Sequence, residues 1–195
     1  KPGNRIRKAS IEDAIARRAA SEKLDYVVQW GDVEGRADTA NTGLNVGDVA
    51  KPFTGLLLDG QTYDFSKALG HRPAVVVFWA SWCRPCLLEA PHLLALHEKY
   101  SAQGVEFVSV SIDEEQDRAA VAETVAELAI VYPVVLDEKG AILKSYAAGA
   151  SIPLTFVVGA NGNVMYRHQN YSAGDEVPLE AAILEALKTR AQKSE

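Results

Sequence analysis

Phe78 to Pro91 reads FWASWCRPCLLEAP and holds both cysteines of a 195-residue chain. Just before it, Ala74–Trp79 (AVVVFW) is a continuous apolar run of strand-forming residues, the pattern of a strand buried on both faces. From Cys86 to Tyr100 the pattern turns helical, with Leu87, Leu88, Leu93, Leu94 and Leu96, and Pro91 is expected to kink it. Strand, short turn and helix therefore meet at the cysteine pair, and the helix is expected to begin at about Cys83. A thiol there faces unpaired backbone N–H groups and the positive end of the helix dipole. Both favour thiolate over thiol and lower the pKa below ~8.5. Arg84 adds a neighbouring cation, and Pro85 sits in the first turn, where its missing N–H costs little. Cys83 is expected to be the exposed attacking sulfur, and Cys86, one turn inward, the sulfur that resolves the mixed disulfide.

Composition bounds the alternatives. The chain is 48% hydrophobic and 24% charged, with a net charge of −6, which suits a globular domain and not a nucleic-acid binder with its basic face. A core of this size needs no cross-link, and a bridge across three positions closes almost no loop, so a structural staple explains little. A zinc site would need further ligands. The chain has only two cysteines, and His92 and His97 are five apart on a proline-containing helix. Those histidines, with His71 and His168, are expected to face solvent. No run approaches the ~18 apolar residues of a membrane helix. Lys1 stands where a nascent chain would carry methionine, so processing or trimming is expected, with any signal peptide or anchor upstream. The basic run Lys1, Arg5, Arg7, Lys8 would place such an anchor some way before Lys1.

Along the chain, residues 10–24 read as a helix capped by Ser10, and residues 31–48 as a Gly/Asp/Asn-rich linker. Phe53–Leu58 and Thr62–Phe65 flank a turn at Asp59-Gly60. Val105–Ile112 alternates like a strand, and Asp117–Leu128 reads as a helix. The acidic residues Asp113, Glu114, Glu115 and Asp117 are expected to sit at that helix's N-terminus. Tyr132–Leu136 and Leu154–Val158 read as strands, with a turn at Asp137–Gly140. Asn161-Gly162-Asn163 turns into Val164–Arg167, and Pro178–Lys188 is a closing helix. Strands alternating with helices make an α/β chain with a central sheet.

The pattern Trp82-Cys83-Arg84-Pro85-Cys86-x-x-Glu89-x-Pro91 after an apolar strand resembles the thioredoxin superfamily, in particular its TlpA/ResA/DsbE-like branch of extracytoplasmic thiol–disulfide oxidoreductases. Val46-Gly47-Asp48, Pro52-Phe53, Gly104-Val105 leading into VSVSID, and Ile152-Pro153-Leu154-Thr155-Phe156 extend the match from about Val46 to Leu187. The resemblance implies a thioredoxin-like fold: a central mixed sheet flanked by helices, with the branch's extra strand–helix elements between Ser109 and Val158. The domain is expected to span residues 46–195, with residues 1–45 as an N-terminal extension. It also implies that Pro153 is a cis-proline facing the cysteines and that the backbone of Ile152 pairs with an extended substrate strand. Trp82 would flank the reactive sulfur and shape the docking surface. Cytosolic thioredoxins carry an aspartate in the strand where this chain has Val77. Glu89 is therefore expected to accept the proton of Cys86, its pKa raised by partial burial.

The implied activity is exchange of the Cys83–Cys86 dithiol/disulfide with protein substrates, most readily as a reductase. No metal or organic cofactor is implied. The partners implied are a cysteine-bearing exported protein, such as apocytochrome c, and a membrane thiol donor. The expected location is the bacterial periplasm or the outer face of the membrane. Arg84 is a cation where other members carry acidic or neutral residues, and it tunes the couple towards oxidation without reversing it. Rival readings are a thiol peroxidase, a DsbA-like oxidant and a redox-gated binding module. Against the peroxidase, the residues before Cys83 do not follow the Pro-x-x-x-Thr-x-x-Cys pattern of peroxiredoxins.

Overall fold

Every residue of strand β3 (Ala74–Trp79) is buried, and its neighbours in space explain why. The computed structural model of the chain describes residues 44–191; the expected helix at 10–24 and most of the 31–48 linker lie outside them. Parallel β4 (Glu106–Ser111) pairs with one edge of β3 and antiparallel β6 (Leu154–Val158) with the other. Hairpin strands β1 (Thr54–Leu57) and β2 (Thr62–Asp64), short β5 (Val134–Leu136) and β7 (Val164–Gln169) complete the sheet. Among the described residues the order is β2-β1-β5-β4-β3-β6-β7. The parallel pairs β3–β4 and β4–β5 are joined through helices α1 (Arg84–Tyr100) and α2 (Arg118–Glu127), as parallel strands require.

Side chains of β3 alternate between two apolar layers. Val75 and Val77 pack with Leu93 and Leu96 of α1 and with Leu179 and Ile183 of the closing helix α4 (Glu176–Ala191). Val76 and Phe78 face the other way, onto Phe53, Phe65, Tyr146 and Phe156. Tyr146 belongs to helix α3 (Ala141–Ala147), so helices cover both faces of the sheet. Leu44, ahead of the expected boundary at Val46, already packs in this second layer and donates its N–H to the Tyr146 carbonyl.

Two expectations change. The Asp137–Gly140 turn leads directly into α3, which the sequence reading did not separate. The Asp137 carboxylate accepts the Ile142 and Leu143 N–H groups at 3.0 and 2.8 Å, so the cap lies outside the usual N-cap position, which left-handed Gly140 occupies. Strand β5 begins at Val134 instead of Tyr132. Pro133 has no N–H to give a ladder, although its carbonyl still accepts from Ser109 N. Helix α1 runs unbroken through Pro91, which lies on its exposed side.

Candidate active site

The chain leaves β3 at Trp79, whose carbonyl accepts the Ile112 N–H, and turns through Ala80–Trp82. Cys83 is the N-cap of α1 in extended conformation, with Pro85 in the first turn. Its Sγ accepts the Cys86 N–H at 3.3 Å. Sulfur thus fills the role an Asp or Ser oxygen plays at other helix starts. Cys83 and Cys86 form a disulfide with Cα atoms 5.3 Å apart. Trp82 is 66% exposed beside it, and Arg84 and Pro85 are also exposed.

The expectation that Cys83 is the exposed sulfur is corrected: the residue is 5% exposed and Cys86 4%. Both pack with Trp79, Val121 and Val134, and Ile152 lies against the same cluster. What separates the two cysteines is their chemistry of contact. Cys83 sits at the positive end of the helix. Cys86 lines a small cavity shared with Glu89.

Glu89 projects from α1 onto the sheet and is 4% exposed. Beneath it, Thr155, Val77 and Ser109 are paired residues across β6, β3 and β4. Thr155 Oγ1 donates to Glu89 Oε1 at 3.1 Å. Burial pushes the Glu89 carboxyl up to about 7; the Thr155 hydrogen bond opposes the shift and the Asp175 charge adds to it. A helix-borne carboxylate therefore occupies the space over apolar Val77. The Ile152–Pro153 peptide bond is cis, with Pro153 buried and its carbonyl accepting from Asn170 N.

Asp113 overturns a second expectation. It is not at a helix start but 2% exposed under the active-site turn. Its carboxylate accepts Ser81 N at 3.0 Å, Ser81 Oγ at 2.6 Å and Ser111 Oγ at 2.7 Å. In β4, whose alternation predicts a strand, Ser109 and Ser111 are both buried. The signal for these residues is a hydroxyl placed within an otherwise apolar strand. His71 and His92 are exposed as expected. His97 instead packs edge-on against Phe107, and His168 pairs with Asp175 at 3.0 Å. Among the described residues, no group of three or more His, Cys, Asp or Glu side chains is arranged to hold a metal. Nor is any helix there long and apolar enough to cross a membrane.

The chain is similar to known proteins. The family described as AhpC/TSA matches residues 46–167. The thiol-disulfide oxidoreductase ResA of Geobacillus kaustophilus is 31% identical over 126 residues, 65% of this chain and 70% of that protein. A Chlorobium tepidum structure described as a thiol:disulfide interchange protein of DsbE type superposes with a TM-score of 0.66 at 29% identity. It covers 74% of this chain and 99% of its own. A secreted Mycobacterium tuberculosis disulfide oxidoreductase homologous to E. coli DsbE gives 0.61 at 26% identity, covering 68% and 95%.

Proposed function

The chain belongs to the AhpC/TSA family and is a thiol–disulfide oxidoreductase of ResA/DsbE type, and from that premise we propose that it works as a protein-disulfide reductase outside the cytoplasm. The reacting group is the protein's own Cys83–Cys86 pair. In the reduced protein, the Cys83 thiolate is stabilised by the Cys86 N–H and the helix start, and attacks a substrate disulfide. Cys86 then loses its proton to Glu89 and attacks Cys83 Sγ, releasing the substrate thiol and closing the disulfide.

The observation that carries this reading is the Glu89 carboxyl, buried beside Cys86 and held near 7. A base of that pKa is half-ionised at neutral pH, where it accepts and returns a proton with little bias. It serves the second cysteine, and so the step that completes reduction of a substrate. Trp82, Arg84 and Pro85 form the exposed rim against which a substrate segment docks. The backbone of Ile152, ahead of Pro153, pairs with that segment as an added strand. The substrate class is an exported protein bearing cysteines, of which an apocytochrome c is one, and a membrane thiol donor returns the electrons. The names of the ResA and DsbE-type relatives support the exchange chemistry.

Trapping tests the assignment of roles. Cys86→Ser is expected to accumulate substrate as a mixed disulfide on Cys83, recovered from non-reducing gels and released by thiol. Adducts absent from Cys86→Ser, or found equally on Cys86 in Cys83→Ser, contradict it.

A further inference from the structure

Helix α1 turns Cys86, Glu89, Ala90, Leu93 and Leu96 inward. Its outward positions over the first three turns are Arg84, Pro85, Leu88, Pro91, His92 and Ala95. The solvent side of a surface helix is ordinarily polar and mixed in charge. This one holds a cation and no carboxylate, and Leu88 is 58% exposed in its middle. Arg84, Leu88 and His92 stand four apart and so line one side of the helix. At 1.5 Å per residue they make a strip about 12 Å long that begins at the disulfide. Tyr171 closes its far end, with its ring 5.7 Å from that of His92. Asn170, the next residue back, donates its N–H to the Pro153 carbonyl. The strip is thus joined at one end to the cysteines and at the other to the cis-proline segment.

Charge decides what such a strip receives. Among the described residues no side chain pairs with Arg84. The carboxylates around it already have partners. Across the active-site turn, Arg118 holds Glu138 and feels the Glu115 charge, and Gln116 donates to Glu114. At the Tyr171 end, Asp175 takes His168 and Ser172 N, and Glu176 takes Gly174 N and the Tyr171 hydroxyl. Arg84 is therefore the charge left to a partner at this end of a chain whose net charge is −6. An acidic partner is repelled by the chain as a whole and attracted at the place where the sulfurs react.

We propose that Arg84, Leu88 and His92, walled by Tyr171, form a docking strip that selects a protein segment with a carboxylate beside its disulfide cysteine and an apolar side chain about three residues away. The inference rests on the exchange reading of Cys83–Cys86 and names the partner that this chemistry serves. Arg84 is next in sequence to Cys83, so a carboxylate it holds belongs to a neighbour of the reacting sulfur. An extended segment covers about 10 Å in three residues, within the length of the strip, and this brings its apolar side chain over Leu88. Leu88 gains by the contact because its burial removes apolar surface from water. Neither residue reacts; together they set which segment presents its disulfide to Cys83, and in which direction it lies.

Competition between matched peptides tests the strip. Each peptide has one cysteine, held as a mixed disulfide with neutral 2-thiopyridine. The reduced Cys83 thiolate attacks the peptide sulfur and thiopyridine leaves with the electron pair. Cys86 then attacks Cys83 Sγ and releases the peptide. The dithiol loses two electrons, and its two protons end on thiopyridine and the peptide thiol. The first pair differs only in Glu or Lys beside the cysteine; the second keeps Glu and places Leu or Ser three residues away. The Glu peptide is expected to react about fivefold faster than the Lys peptide at low salt, and salt at about 1 M should erase the difference. Arg84→Glu should reverse the order; because both peptides meet the same Cys83, its altered reactivity cancels in the ratio. The Leu peptide should outrun the Ser peptide about threefold, a preference lost in Leu88→Ser while the Glu-over-Lys order remains. Equal rates within either pair, or preferences that survive their variants, overturn the strip and leave the exchange chemistry standing. If every peptide reacts no faster than with a simple dithiol at equal concentration, the exchange reading falls, and the strip with it.

Discussion

The Asp113 carboxylate holds Ser81 through both its N–H, at 3.0 Å, and its hydroxyl, at 2.6 Å. Ser81 lies two residues before Cys83, in the turn whose Ala80 carbonyl also accepts Cys83 N. A residue at the end of β4 thereby fixes how the end of β3 delivers the N-cap sulfur to α1. Asp113 is buried and Ser81 half-buried.

Asp113→Ala should therefore act on stability and reactivity together. It leaves the Ser81 and Ser111 donors unpaired, at a cost of about 2 kcal/mol or more. Urea unfolding of the oxidised chain reads that loss. With the turn freed, thiolate absorbance should titrate at higher pH for Cys83 as its alignment with the Cys86 N–H loosens. An unchanged Cys83 titration would leave Asp113 a purely structural residue.

Glu89→Gln should lower the rate of resolution by roughly 100-fold, within the range of positioned general bases, and remove the inflection near neutral pH from the native profile. Its effect on stability has a definite sign. Burial holds the Glu89 carboxyl at about 7 in the folded chain, above the ordinary glutamate value of 4.5. Between those values the folded chain binds more protons than the unfolded one, so stability falls as pH rises through the window. Above it the buried charge costs up to about 3 kcal/mol, which glutamine does not incur. The variant should gain stability relative to the native chain at pH 8 and not at pH 4. Parallel unfolding curves at the two pH values would contradict the burial of an ionising group.

Thr155→Val removes the hydrogen bond that opposes the burial shift on Glu89. The carboxyl should rise further, and the inflection in the resolution rate should move up by about half a unit to one unit. Movement to lower pH would mean that the hydroxyl favours the neutral acid.

The sequence and the structure part company where polar atoms meet the core. Ala74–Trp79 and Leu154–Val158 are legible to the residue because a fully buried strand has one compositional signature. Cys83 at a helix start is legible because strand, turn and proline fix where α1 begins. Ser109 and Ser111 are not, since alternation of serine with valine reads as one wet face, and only the covering helices make both faces dry. Asp113 reads as a partner for a helix dipole until β3–β4 pairing brings Ser81 beside it. Helix α3 escapes because its capping carboxylate, Asp137, stands in the preceding turn. The low exposure of Cys83 follows from the disulfide and its neighbours, which no local pattern encodes.

The reductase reading stands or falls most directly on the equilibrium reduction potential of the Cys83–Cys86 couple, measured in defined thiol–disulfide buffers at neutral pH. The account expects a value below about −220 mV, in the range of couples that give electrons to substrates and are recharged by a donor. A value near −120 mV would make the protein an oxidant and reverse the proposed flow of electrons.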